Sequence, residues 1–531
     1  AIAGGEYNIA IGYQTLDALT SADKNVAIGY QAGSAITTGG ANTLVGNETG
    51  KSITTGTFNT FFGFEAGDNF DTEGNNLGIG AAALGGAVAG GEFNVAIGNN
   101  SLDALTSGDG NTAVGYNAGT AATTGGLNTM LGKDAGSGVL TDAAGHNLML
   151  GYEAGYNVTS GTNNTLVGGK GPGYSMTTGA NNIFIGFETG DGNDAENNNL
   201  GIGNSALGGS IAGGEYNVAI GNLTLDALTS GDFNIAIGYQ AGTDLTEGAT
   251  NILVGHGAGA NITTASASIF IGFESGLNLT TQTENIGIGY RSGYSSTGTR
   301  NTMMGYKSAL NGTSFDDNVI IGYEACGTGV LTGNHGVVIG YQAGKALTSA
   351  GENILIGSLA GTSITTGGGN IMIGREAGDG FDTETHNLGV GLAALGGAIN
   401  GGEYNVAVGN YALDALTSAD ENTCVGYQAG TAITTGKGNT LIGKNAGHSI
   451  TTGYDNIVLG TGDTSTPAAD THNSLMIGYG IDGKGNDTGF IYVGGSGSIY
   501  QGNNNSAWAT TSDERVKKNI KDYEKGLDEK N

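Results

Sequence analysis

NVAIGYQAG, residues 25–33, returns as NIAIGYQAG at 234–242 and as GVVIGYQAG at 336–344. The phrase restarts on Asn8, Asn25, Asn42, Asn59, Asn76, Asn94, Asn111 and Asn128, then runs on to Asn439 and Asn456, nearly always 17 residues apart. A fixed period of that size is the signature of a solenoid. Counting from the repeat Asn, the third following residue is apolar (Ile11, Ile28, Val45, Phe62, Ile237, Ile356) and the fourth is Gly, as at Gly12, Gly29, Gly46 and Gly238. A second Gly usually stands four residues further on, at Gly33, Gly50, Gly67 and Gly242. A second apolar slot, eleven after the Asn, holds Leu19, Ile36, Ile53 and Leu105, with Thr or Ser next.

These slots predict an all-β fold, a parallel β-solenoid (β-roll) of 17-residue coils with two short strands per coil, NVAIG and AITT, joined by glycine corners. Three glycines per period and β-branched apolar residues oppose helix. Stacked coils about 4.8 Å apart align each apolar slot into one narrow core. Asn25 and Asn234 are expected to form a hydrogen-bonded ladder along the stack rather than to hold ions or ice. Ile28 and Ile237 are expected in the strands, and Gly29, Gly33, Gly238 and Gly242 at corners where backbones turn sharply or come close. Apolar residues on three successive positions, as in Ile9, Ala10 and Ile11, imply that both faces of the strand are covered.

Composition narrows the function. Of 531 residues 105 are Gly but only 2 are Pro, which excludes collagen, and 38% hydrophobic residues placed with this regularity exclude a disordered chain. A net charge of −30 opposes nucleic-acid binding. No apolar run reaches the roughly 20 residues of a membrane helix. Cys326 and Cys424 fall in different repeats, so neither a disulfide framework nor a CxxC metal site is expected. The six histidines show no HExxH spacing, and GDGND at 190–194 lacks the GGxGxD repeat of calcium-binding rolls, so no metal and no cofactor is expected. No carboxylate spacing singles out a glycosidase pair.

Two further columns invite a reading. The residue after the corner Gly is often aromatic (Tyr13, Tyr30, Phe64, Tyr116, Tyr239, Tyr341), which suits a lateral groove or a subunit contact better than sugar stacking. Thr pairs such as Thr37–Thr38 and Thr54–Thr55 form ranks like those of ice-binding faces, but Ser, Ala and Glu interrupt them. A longer pattern lies above the short one: GIGAAALGGAVAGGEFNVAIG from Gly78 has near copies from Gly201 and Gly389. Block duplication explains that better than selection of a unique active site.

The period blurs after Gly460, which divides the chain into a repeat stalk at 1–460, a β-rich neck at 461–511 and a Lys/Glu-rich segment at 512–531 in which basic residues concentrate. In that last segment TTSDERVKKNI, residues 510–520, resembles the opening signature of the intramolecular chaperone domain of phage tail spikes, tail fibres and endosialidases. The resemblance implies trimerisation of the preceding stalk and self-cleavage just before Ser512. It implies Ser512 as nucleophile with Lys517 as its dyad partner, Asp513 and Arg515 supporting. A lysine serves as base only when burial lowers its pKa. Read by itself, Ser512 is a helix N-cap followed by acidic first-turn residues.

NVAIGYQAG itself is similar to the β-roll repeat of trimeric autotransporter adhesin heads, whose coils pack side by side in threes. Together the two resemblances imply a homotrimeric, extracellular phage tail fibre on the virion. It would bind a host cell-surface glycan or protein and join other tail proteins through a part preceding Ala1. A secreted or cell-surface bacterial adhesin is the alternative, and a glycan-degrading spike or an ice-binding solenoid ranks below both. The repeats themselves are expected to catalyse nothing.

Overall fold

A computed structural model describes residues 4–492, 498–502 and 509–510, apart from positions 88, 142 and 463. The chain divides into two compact units, Ala1–Glu284 and Asn285–Asn531. Each is a β-solenoid, and no helix occurs among the described residues.

The first unit stacks sixteen three-residue strands, β1 (Ile9–Ile11) to β16 (Ile269–Ile271), parallel and in register, so that Ile9 faces Val26 and Ile11 faces Ile28. The second begins with β17 (Ile286–Ile288) and stacks in the same way to β28 (Leu475–Ile477). The parallel ladder continues past 460: β28 pairs with β27 (Ile457–Leu459), and β29 (Gly489–Tyr492) adds to β28. There the direction reverses, with β30 (Ser498–Gln501) and β31 (Ala509–Thr510) antiparallel.

One expectation is corrected. Each coil has one strand, not two. The second apolar slot is a turn: the Ile36 N–H donates back to the Gly33 carbonyl of its own coil, 3.1 Å away, so the backbone cannot run straight. The following residues still bond along the stack, the Thr37 N–H to Thr54 O at 2.9 Å, and the threonine hydroxyls repeat the contact. Thr20 and Thr229 likewise donate their hydroxyl protons to the next coil's carbonyl.

The Asn ladder is present. The Asn25 N–H donates to Asn8 Oδ1 at 2.8 Å, and its own Oδ1 accepts from the Asn42 N–H at 3.0 Å. Its Nδ2 donates to the Gly39 carbonyl across the same coil. Asn234 repeats the pattern with Asn217, Asn251 and Gly248, and both side chains are fully buried. One residue type thus ties coil to coil and braces each coil internally, satisfying buried polar groups at every level.

Gly29 and Gly238 adopt φ +143° and +135°, and a Cβ there would lie 2.0 and 2.4 Å from the carbonyl oxygen of the next corner glycine. No side chain fits. Gly33 and Gly242 are left-handed, and a Cβ at Gly242 would meet Leu253 Cδ1 at 2.6 Å and Leu225 Cδ2 at 3.0 Å.

That last contact exposes how the core is filled. Most coils place a large residue at mid-strand (Leu44, Phe61, Leu253) and Gly at the left-handed corner. A minority invert this, with Leu16, Leu84, Leu102, Leu207, Leu225, Leu395 or Leu413 buried at the corner on a left-handed backbone, φ +50° to +55°. Where the space over the next coil's corner is open, above Gly33, Gly119, Gly242 and Gly430, the δ-carbon of such a leucine occupies it at 2.8 to 3.1 Å. The following mid-strand residue is accordingly small: Ala27, Ala96, Ala113, Ala219, Ala236, Ala407 or Cys424. Apart from the coil of Leu16, the inverted coils lie in cassettes at 76–127, 199–250 and 387–438, each entered below a large residue, Phe61, Phe184 or Met372, whose bulk Gly78, Gly201 and Gly389 accept. Core volume is conserved while the wall that supplies it changes.

The first coil of each cassette has one extra residue, from Asn76 to Asn94, Asn199 to Asn217 and Asn387 to Asn405. Three nearly buried glutamates brace the resulting bulge. Glu384 accepts the Asp382 and Thr383 N–H groups on Oε2 and the Gly401 N–H on Oε1, all at 2.7 to 3.0 Å. Glu73 and Glu196 do the same for Gly90 and Gly213.

Candidate interaction surface

Each strand from β2 to β28 turns its middle residue inward and its first and third residues outward, so every coil adds two side chains to one outer face. The third residue is apolar in all sixteen strands of the first unit and in β17–β28 of the second. The first is aliphatic or Thr in all of them. Ile28 is 36% exposed and Ile237 38%. At about a third exposure, the third-position column of the first unit alone leaves on the order of 1,000 Å² of apolar surface in water, above the few hundred Å² usual for a soluble monomer.

The aromatic column after the corner Gly borders this face. Its rings stack on one another: Tyr290 on Tyr306 at 5.2 Å, Tyr306 on Tyr323 at 4.9 Å and Tyr323 on Tyr341 at 5.4 Å, within 14° of parallel. Ring faces are therefore taken by neighbouring rings and mainly edges point outward. That geometry favours packing against a surface over stacking on sugars.

No group of three or more His, Cys, Asp or Glu among the described residues could hold a metal ion. Both cysteines are fully buried, and burial pushes the Cys326 thiol up to about 12 and raises that of Cys424. A thiol so disfavoured as thiolate is a packing residue. Burial also raises the carboxyls of Asp103 and Asp226, and no charged neighbour contributes. Asp191, raised by burial and by Glu188, borders a groove of about 260 Å³ with Glu153, Lys170 and Tyr174, in which Lys170 pairs with Glu188.

The structure brings Asn25, Ile28, Gly29 and Gly33 together in one coil, and Asn234, Ile237, Gly238 and Gly242 in another, as ladder, outer face and two corners. Ser512, Asp513, Arg515 and Lys517 lie outside the described residues. Sequence reasoning missed Glu73, Glu196 and Glu384. Their signal was DTE or DAE three residues ahead of the coils that open the three cassettes. No family model matches the chain, and neither a curated protein nor a solved structure matches it.

Proposed function

We propose that the chain is a structural, receptor-binding fibre protein, a phage tail fibre stalk built from three copies. The copies pack through the outward first- and third-position columns. The carrying observation is the third-position column, apolar in every strand from β1 to β28 although water reaches it. Selection for solubility would have placed a charge somewhere along it. The resemblance of residues 510–520 to the self-cleaving chaperone signature supports the fibre reading and the number three. On this reading the repeats bind and support rather than turn over substrate.

Sedimentation of the protein tests this. Wild type is expected at three times 52.7 kDa, and the Ile220→Lys, Ile237→Lys pair, charged on adjacent coils of the outer face, is expected to dissociate. A folded wild-type monomer sinks the reading. Expression of the gene to its stop codon, with and without Ser512→Ala, tests maturation. A cut just before Ser512 in wild type, absent from the variant, is the expected mass change.

A further inference from the structure

The residue just before the repeat Asn is left-handed in coil after coil, a conformation that Asn, Asp and Gly adopt most easily. The column accordingly holds Asn75, Asn163, Asn181 and Asn198, and elsewhere Lys24, Glu352 and Glu421. Phe58 and Phe233 also stand in it, and at four places related by sequence, GGEYN at 4–8 and 213–217, GGEFN at 90–94 and GGEYN at 401–405, a bulky ring follows a glutamate. Tyr7, Phe93, Tyr216 and Tyr404 take φ of +57° to +60°, and Phe93, Tyr216 and Tyr404, each with coils on both sides, remain 61%, 49% and 56% exposed. The fold imposes this backbone in every coil, so what the four sites add is an exposed ring rather than a special turn.

Each ring has the same neighbours. A glutamate precedes it, and that residue's N–H donates to an aspartate Oδ1 of the next coil: Glu6 to Asp23, Glu92 to Asp109, Glu215 to Asp232 and Glu403 to Asp420, at 2.6 to 2.9 Å. Two acidic residues, the preceding glutamate and an aspartate of the next coil tied to its backbone, therefore accompany every ring. Among the described residues no other ring lies against Phe93, while Tyr216 and Tyr404 each stack on one ring, Phe233 and His386. At least one face of each is not taken by an aromatic neighbour. This differs from the tyrosine ladder of the bordering column, where interior rings are stacked on both sides.

A second copy of the chain is a poor occupant. A homotypic face would be apolar in every coil, as the third-position column is, whereas this column alternates rings with charges and amides. A ring face accompanied by two acidic residues suits a pyranose, which offers C–H groups to the ring and hydroxyl protons to the carboxylates. Carboxylates at every site, on a chain of net charge −30, disfavour an anionic polymer.

We propose that Tyr7, Phe93, Tyr216 and Tyr404 are repeated stations for a neutral, hydroxyl-rich glycan chain. The proposal rests on the receptor-binding reading and names its ligand class. Tyr7 and Phe93 stand five coils apart and Phe93 and Tyr216 seven, roughly 24 and 34 Å at the usual strand spacing, so a polymer engages several stations and a monosaccharide only one.

The test is native affinity electrophoresis of the whole protein in gels containing dextran, mannan or galactomannan, with alginate as the anionic polymer. The comparison variant carries Tyr7→Asn, Phe93→Asn, Tyr216→Asn and Tyr404→Asn, the residue that this column already uses, so the fold is kept. At least one neutral polymer is expected to retard wild type, with apparent affinity at least tenfold weaker in the variant, and free glucose or mannose is expected to compete poorly. Equal retardation of the variant, retardation by alginate alone, or no retardation overturns the proposal. So does a change in the number of associated copies in the variant, which would assign the rings to a second copy. Wild type that still sediments as a trimer without binding any glycan removes the stations and leaves the fibre reading intact.

Discussion

The exchange of core filling between walls makes a quantitative prediction about Leu225 and Ala236. Leu225 is fully buried on a left-handed backbone, and its Cδ2 would lie 3.0 Å from a Cβ at Gly242. Leu225→Gly removes a buried leucine, about 2–5 kcal/mol, and returns about 1 kcal/mol of conformational strain. Ala236→Leu overpacks the same space at about 1–3 kcal/mol. Combined, the two recreate an arrangement the chain already uses: Leu16, then Ala27 with Gly33, then Leu44 with Gly50. The double variant should therefore lie near wild type, with a coupling of at least about 2 kcal/mol, where independent sites would add. Hydrogen exchange of the Val218 and Ile235 amides, which bond to Asn234 and Asn251 carbonyls, reads local opening without assuming two-state unfolding. Each single variant is expected to speed exchange by roughly tenfold to a hundredfold, and the double variant by less than about tenfold. Additivity within about 0.5 kcal/mol would refute the shared-space argument.

Two further changes probe the corners. Gly238→Val drives a side chain into the Gly255 carbonyl and demands a backbone conformation that valine avoids, so coils around 234–256 should lose exchange protection while distant coils keep theirs; an unchanged melting profile would count against the corner role. Glu384→Gln keeps the shape but turns an amide N–H toward backbone donors, weakening at least one of the three part-buried hydrogen bonds at about 1 kcal/mol. Faster proteolysis confined to residues near Gly401 is the expected readout, with Glu384→Asp no remedy because it is too short to span the clip.

The period, the Asn ladder and the corner glycines were legible because each is one column repeated coil after coil, so chance cannot mimic it. Two strands per coil was an overreading: Thr37 and Thr38 have strand propensity, but the Gly33 carbonyl captures the Ile36 N–H and bends the backbone. The core exchange was hidden because Leu225 and Ala236 occupy different slots of different coils and meet only when coils are stacked. The outer face was half visible in Ile9, Ala10 and Ile11, where three apolar residues in succession demanded a second cover. The rings before the repeat Asn escaped notice because spacing does not reveal a left-handed backbone. Ser512 and Lys517 fall outside the described residues, so their pairing rests on the signature alone.

The cassettes at 76–127, 199–250 and 387–438 begin beneath a large mid-strand residue, Phe61, Phe184 or Met372, and hand over to another, Met130, Leu253 or Leu441. Their two ends are thus interchangeable, and a recombination event can insert or delete a whole cassette without creating a cavity or a clash. Each also carries its own longer coil and its own exposed ring, Phe93, Tyr216 or Tyr404, while the glutamate that clips the bulge, Glu73, Glu196 or Glu384, stands in the coil before it. A lineage that copies cassettes therefore gains reach and valency in a single mutational step, and cannot readily change one without the other.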